Sequence, residues 1–211
     1  MKIIKPKLIN GIEQMLERSI HIEDETTIKN CCIYDYVFEV EEADKVSFEG
    51  VVFDKVDFKG VALSALELTD VRLINCDLSN ADFTGAIIHR TEFIACKMIG
   101  LKLNEAALQN VSMENCNGRF ILMNEIQLKN VVLTDCIFES SNIQDGKLDK
   151  LELRDCSFRL SQMSGTRLAG MDLSNSNFEG TAVRMEDIRG AIVSPMQALE
   201  FSKILGLIIK E

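Results

Sequence analysis

Positive charge is in short supply in this 211-residue chain: 23 lysines and arginines stand against 33 aspartates and glutamates, a formal net charge of −10. Such an anionic chain repels phosphate, which argues against a polyanionic partner such as DNA or an acidic membrane surface. Long apolar runs are missing as well. There is no stretch of about 18 apolar residues, and no basic start leading through an apolar segment to a small-residue cleavage site. Neither membrane spanning nor export is therefore expected, and the cytosol is the expected compartment. Histidine is scarce, with only His21 and His89. GxSxG, P-loop, GxGxxG and HExxH patterns are absent, so no active site, metal or cofactor is expected. Asn110, Val111 and Ser112 have the form of a glycosylation acceptor, but a cytosolic chain never meets the transferase.

What the chain does have is apolar residues, 46% of the total, enough to bury the core of one domain. It also has a period, and the period is five. Reading every fifth residue from Ile28 to Val193 gives 34 positions, all large and apolar except Ala43 and Gly118. The positions two before these centres are mostly small or β-branched, as in Val51, Val56, Val61, Ala81, Ala86, Thr91, Ala106 and Val111. Both columns are expected to point inward, leaving the remaining three positions, rich in Asp, Asn, Lys, Arg and Glu, to face water. Neither helix nor strand has this period.

The motifs ADFTG (81–85), CDLSN (76–80) and MDLSN (171–175) resemble the A(D/N)LXX pattern of the pentapeptide-repeat family, over about residues 26–193. The resemblance implies an all-β fold, a right-handed quadrilateral parallel β-helix in which four pentapeptides make one square coil of 20 residues. At four repeats per coil, 34 repeats are about 8.5 coils. Each coil buries its apolar pair only by stacking on its neighbours, at about 4.8 Å per step. Residues 1–25 are expected to form a lead-in or cap, with 11–20 a short amphipathic helix, 26–193 the β-helix, and 194–211 a C-terminal helix and tail.

Cys76, Cys96, Cys116, Cys136 and Cys156 are spaced by 20, which stacks them on one inner column as small apolar residues. A line of thiols inside a packed core is no tetrahedral zinc site, and a reducing compartment keeps them free. Cys31 is expected to face inward and Cys32 outward. Gly118 in CNGRF (116–120) leaves core volume unfilled, so a kink or local shift is expected there, with Phe120 turning inward or standing out as a contact. After Val193 the pattern stops. Ser194 is an expected N-cap, Pro195 the first helical residue and Gly206 the stop.

Charge is uneven among the four faces. The face of Leu63, Phe83, Leu103 and Met123 carries seven acids and three bases; the opposite face carries eight and three. Glu105, Glu125 and Asp145 share one corner column, and Asp135 and Asp155 another. The chain is similar to the Qnr-type quinolone-resistance proteins of bacteria in length, acidity, the HIEDE lead-in (21–25), the CNGRF irregularity and the terminal VSPMQALEFSKILGLII (193–209). That resemblance implies a homodimeric rod that mimics DNA and protects DNA gyrase and topoisomerase IV from fluoroquinolones. The five corner carboxylates are then the candidate topoisomerase contacts. Met196, Ala198, Leu199, Phe201, Ile204, Leu205, Leu207 and Ile208 are the candidate dimer interface. Unlike many Gram-negative Qnr proteins, this register has no room for projecting loops. The alternative left open is an interaction solenoid with a different partner.

Overall fold

In the computed structural model, which describes residues 2–8, 20–39, 42–208 and 210, the backbone winds into a parallel β-solenoid closed by a short helical cap. The helix expected over 11–20 lies almost wholly outside these residues. Six strands of three residues open the shaft: β1 (Thr27–Lys29), β2 (Cys32–Tyr34), β3 (Glu42–Asp44), β4 (Ser47–Glu49), β5 (Val52–Asp54) and β6 (Ala62–Ser64). Five strands of eight residues follow: β7 (Glu67–Ile74), β8 (Ile87–Ile94), β9 (Ala107–Glu114), β10 (Gln127–Thr134) and β11 (Lys147–Arg154). Each long strand runs through one corner and so covers two adjacent faces. Pairing is parallel and joins residues one coil apart, as Thr27 to Ser47 and Ser47 to Glu67. The other two faces pair through single bridges, such as the series through Val37, Asp57, Asp77, Lys97, Asn117 and Ile137.

The five-residue period comes from the corners. Nearly every corner residue, two past a centre, adopts left-handed backbone, with φ of 56° at Asp70, 52° at Ala95 and 61° at Phe120. A residue with a Cβ pays about 1–2 kcal/mol for that conformation, which is why Asn, Asp and Gly crowd these positions. Stacking offsets the cost. The amide of Leu63 donates to the Asp82 carbonyl at 2.8 Å, and the Asp82 amide to the Val61 carbonyl at 2.9 Å, so each coil satisfies the next. Centres and the positions two before them, including Leu78, Ala81, Leu103, Ala106 and Phe138, are enclosed.

Gly118 departs from expectation. The bridges Lys97–Asn117 and Asn117–Ile137 keep the register unbroken, with no kink. The missing volume is filled by Phe138: a Cβ built on Gly118 would lie 2.6 Å from two atoms of that ring. Phe120 is exposed.

The strand ladder is also shorter than the repeat count suggests. From β1 through β4, β7, β8, β9 and β10 it takes six steps and ends at β11. Among the described residues no backbone hydrogen bond joins 148–155 to 167–175, although 157–163 still pair with 177–183. The cause is a change of coil shape. Residues 168–171 close a tight turn of their own, with the Met171 amide on the Leu168 carbonyl at 3.1 Å, whereas β11 turns its corner at Lys150 (φ 60°) within one continuous strand. Two hydroxyls bracket the break: Thr166 Oγ1 accepts from the Gly146 amide at 2.8 Å and Ser176 Oγ from the Cys156 amide at 3.2 Å. In hydrogen exchange the amides of Leu148, Lys150, Leu153 and Asp155 are therefore expected to exchange about tenfold or more faster than those of Leu128, Asn130, Leu133 and Asp135. Equal protection would show that the ladder continues.

Both ends are covered. Ile20 and Ile22 are buried against the first coil, where the Tyr36 hydroxyl accepts from the Ile20 amide at 2.8 Å. Helix α1 (Met185–Ile188) is a single turn that places Asp187 inward; its carboxylate accepts from the Gly165 amide at 2.8 Å. Helix α2 (Pro195–Ser202) begins in a capping box between Ser194 and Gln197. The Gln197 amide nitrogen caps the last coil by donating to the carbonyls of Leu173 and Ser176 at 2.7 and 2.6 Å. A 3-10 turn (Lys203–Leu205) then stops at Gly206, φ 70°.

Candidate interaction surface

Most charges that meet on this shaft meet one coil apart. Lys29 pairs with Glu49 at 2.8 Å, Arg72 with Glu92 at 2.7 Å, Asp77 with Lys97 at 3.0 Å and Asp82 with Lys102 at 2.9 Å. Arg119 pairs with Glu139 at 3.1 Å and Arg159 with Glu179 at 3.0 Å. The signal was present in the sequence as opposite charges 20 apart, and sorting charges by face alone misses it. Those of these pairs that are exposed contribute roughly 0–1 kcal/mol each.

Asp70 and Arg90 form the better pair. Two bonds of 2.6 and 2.5 Å join them, with side chains only 16% and 18% exposed. Hydrogen bonding from the Arg90 guanidinium holds the Asp70 carboxyl below its ordinary range. A depressed carboxylate stabilises the fold above its unfolded pKa of about 3.9, and that contribution is lost as pH falls through the lower folded value. Asp70→Asn is expected to cost about 1.5–3 kcal/mol at neutral pH. Denaturation at a series of pH values checks this: the gap from wild type narrows below about pH 4.

Against this background the five candidate carboxylates are unpaired, as are Glu67, Glu114 and Asp149 among the described residues. Among the described residues none of Glu105, Glu125, Asp135, Asp145 and Asp155 forms an ion pair. Glu105, Glu125 and Asp145 sit on the corner that leads into β9, β10 and β11, where with Gln127 and Lys147 they line an open groove. Asp135 and Asp155 sit on the corner that leaves β10 and β11, along a second groove reaching Asn175. All five adopt left-handed backbone, φ 50–60°. The structure thus brings the two columns to opposite borders of the same long-strand sheet.

The cysteine column is internal. Cys76, Cys96, Cys116, Cys136 and Cys156 are buried, each thiol donating to main-chain carbonyls. Hydrogen bonding with the Cys116 thiol, reinforced by burial, raises Cys136, and enclosure of the whole column keeps its thiols from reagents. Cys31 is buried and Cys32 half-buried. In native protein a thiol reagent such as Ellman's is expected to modify Cys32 alone, and all seven cysteines after denaturation.

At the C-terminus, Met196, Ala198, Leu199, Ile204, Leu205, Leu207 and Ile208 are exposed. Phe201 differs: at 9% exposure it packs into the core and anchors the cap to its own chain, so it is no part of an outward face. Among the described residues no helix is long and apolar enough to cross a membrane, and no group of three or more His, Cys, Asp or Glu side chains is placed to hold a metal ion.

A curated relative, an uncharacterized protein of Bacillus subtilis (strain 168) called YisX, is 37% identical over 80 residues, a stretch covering 38% of each chain. Among solved structures, HetL, a pentapeptide repeat protein involved in heterocyst differentiation regulation in the cyanobacterium Nostoc, aligns over 81% of this chain and 90% of its own, at 15% identity and TM-score 0.42. Full-length QnrB1, a plasmid-mediated fluoroquinolone resistance protein, aligns over 88% of this chain and 95% of its own, at 17% identity and TM-score 0.41. Sequence profiles for a pentapeptide repeat region and for pentapeptide repeats match residues 66–134 and 147–180. Those segments lie inside a β-solenoid whose corners recur every fifth residue, so the matched residues are pentapeptide repeats and the chain has the pentapeptide-repeat β-helix fold.

Proposed function

We propose that this protein is a non-enzymatic, cytosolic interaction rod that enters the DNA-binding groove of DNA gyrase and topoisomerase IV and protects them from fluoroquinolones. The observation that carries the reading is the pair of carboxylate columns. Pairing one coil apart neutralises Asp70, Asp77, Asp82, Glu92, Glu139 and Glu179, whereas Glu105, Glu125, Asp145, Asp135 and Asp155 keep their charge along the shaft. A groove evolved for DNA is cationic, and rows of unneutralised carboxylates complement it. The exposed apolar residues of the cap, Met196, Leu199, Leu205 and Ile208 among them, supply a self-complementary surface on which two copies join end to end. Similarity to the Qnr-type proteins supports the same assignment.

Equilibrium binding to gyrase at increasing salt tests the reading. Affinity is expected to fall steeply with ionic strength. Binding that ignores salt would instead favour a partner docking on apolar residues such as Phe120 and Leu160, which stand exposed on another corner column.

A further inference from the structure

An outward position on a solenoid is normally wet, yet Glu92 and Asn110 are 6% and 4% exposed. What covers that part of the wall is the extended segment 2–8, laid along the shaft. The Lys7 amide donates to Asp70 Oδ1 at 2.9 Å, Lys5 Nζ lies 3.5 Å from Glu92 Oε1, and the Ile4 amide donates to Asn110 Oδ1 at 3.5 Å. The spacing fits. Three residues of extended chain, from Lys7 to Ile4, cover about 10 Å at about 3.3 Å each, and the two coil steps from Asp70 to Asn110 cover nearly the same at about 4.8 Å. Pro6, lacking an N–H, needs no acceptor beside the Lys7 amide.

The receiving surface is organised from below. Arg90 fixes Asp70 through two bonds, Arg72 holds Glu92 at 2.7 Å, and Asn130 Nδ2 donates to Asn110 Oδ1 at 3.5 Å. Each acceptor that meets the segment is therefore oriented by a residue of a neighbouring coil. Acceptors for main-chain amides alternate with a carboxylate for a lysine, which is the chemistry of a site for an extended peptide. None of these contacts uses a side chain buried in the core; Ile3, Pro6 and Leu8 are half-buried and add apolar cover to the hydrogen bonds and charge.

We propose that Asp70, Glu92 and Asn110 form a peptide-binding groove for extended lysine-bearing segments, and that residues 2–8 are its displaceable resident. This inference is independent of the topoisomerase reading.

The test uses the full chain with Lys2→Glu, Lys5→Glu and Lys7→Glu, which turns the segment's charge against the groove while leaving the core untouched. A labelled peptide of residues 2–8 is titrated against it and against wild type. The altered chain is expected to bind the peptide saturably, more weakly at high salt, and wild type to bind it at least tenfold more weakly because its groove is filled. Adding Glu92→Gln and Asn110→Ala to the altered chain is expected to lower its affinity tenfold or more. No binding to the altered chain, or binding indifferent to those two changes, overturns the proposal. A second measurement needs no variant: in wild type the Ile4 and Lys7 amides should show hydrogen-exchange protection, and exchange at the free-peptide rate would contradict a seated segment.

Discussion

Phe138→Ala is expected to lower stability by about 3–5 kcal/mol, the range for emptying a buried aromatic site. The ring is fully enclosed, stacks on Phe158 at 5.5 Å and occupies the space left by Gly118 one coil earlier. It also borders an apolar void of about 30 Å³, which the truncation would enlarge. The pairing with Gly118 makes the expectation specific. Gly118→Ala alone drives a Cβ into the ring and should cost about 1–3 kcal/mol as overpacking. In the Phe138→Ala background that clash is gone, so the two costs should fall short of adding, with a coupling of about 1–3 kcal/mol. A double-mutant cycle by denaturant unfolding checks this. Additive costs would mean that Phe138 does not fill the glycine's place.

Replacing Glu105, Glu125, Asp135, Asp145 and Asp155 together by lysine is expected to weaken gyrase binding on the order of a hundredfold or more, about 3 kcal/mol. The fold should survive, because none of the five is ion-paired among the described residues and each column sets like charges one coil apart. Lysines in the same columns repeat the like-charge spacing, so repulsion within each column is exchanged and not added. The control exploits the paired columns: Asp77→Asn with Lys97→Gln deletes a bridge of 3.0 Å without changing net charge, and binding should hold. If both variants lost affinity alike, the shaft as a whole would be responsible and not the two columns.

Much of this architecture could be read from residues alone because a square coil repeats one physical problem. Leu78 and Phe83 are buried by the same stacking, and Cys76 and Ala81 sit inward for the same steric reason. The cap was legible for a local reason: the capping box at Ser194 and Gln197 and the stop at Gly206 are decided within a few residues. What escaped the sequence depends on neighbours a coil away. Phe138 fills the space above Gly118, and Asp70 finds Arg90; neither is visible inside one pentapeptide. The ladder's end at β11 follows from the turn at 168–171, which keeps the five-residue period while changing the coil's outline. Phe201 misleads for the opposite reason. Its helical spacing groups it with exposed Leu205, yet the cap needs one anchor and takes that ring.

The central claim, that the unpaired carboxylate columns act on a topoisomerase, is tested most directly by a gyrase supercoiling assay in the presence of ciprofloxacin, titrating the protein from substoichiometric to excess. The account expects supercoiling to recover with wild-type protein and to stay suppressed with the five-lysine variant. No recovery at any ratio, or equal recovery with the five-lysine variant, would contradict it.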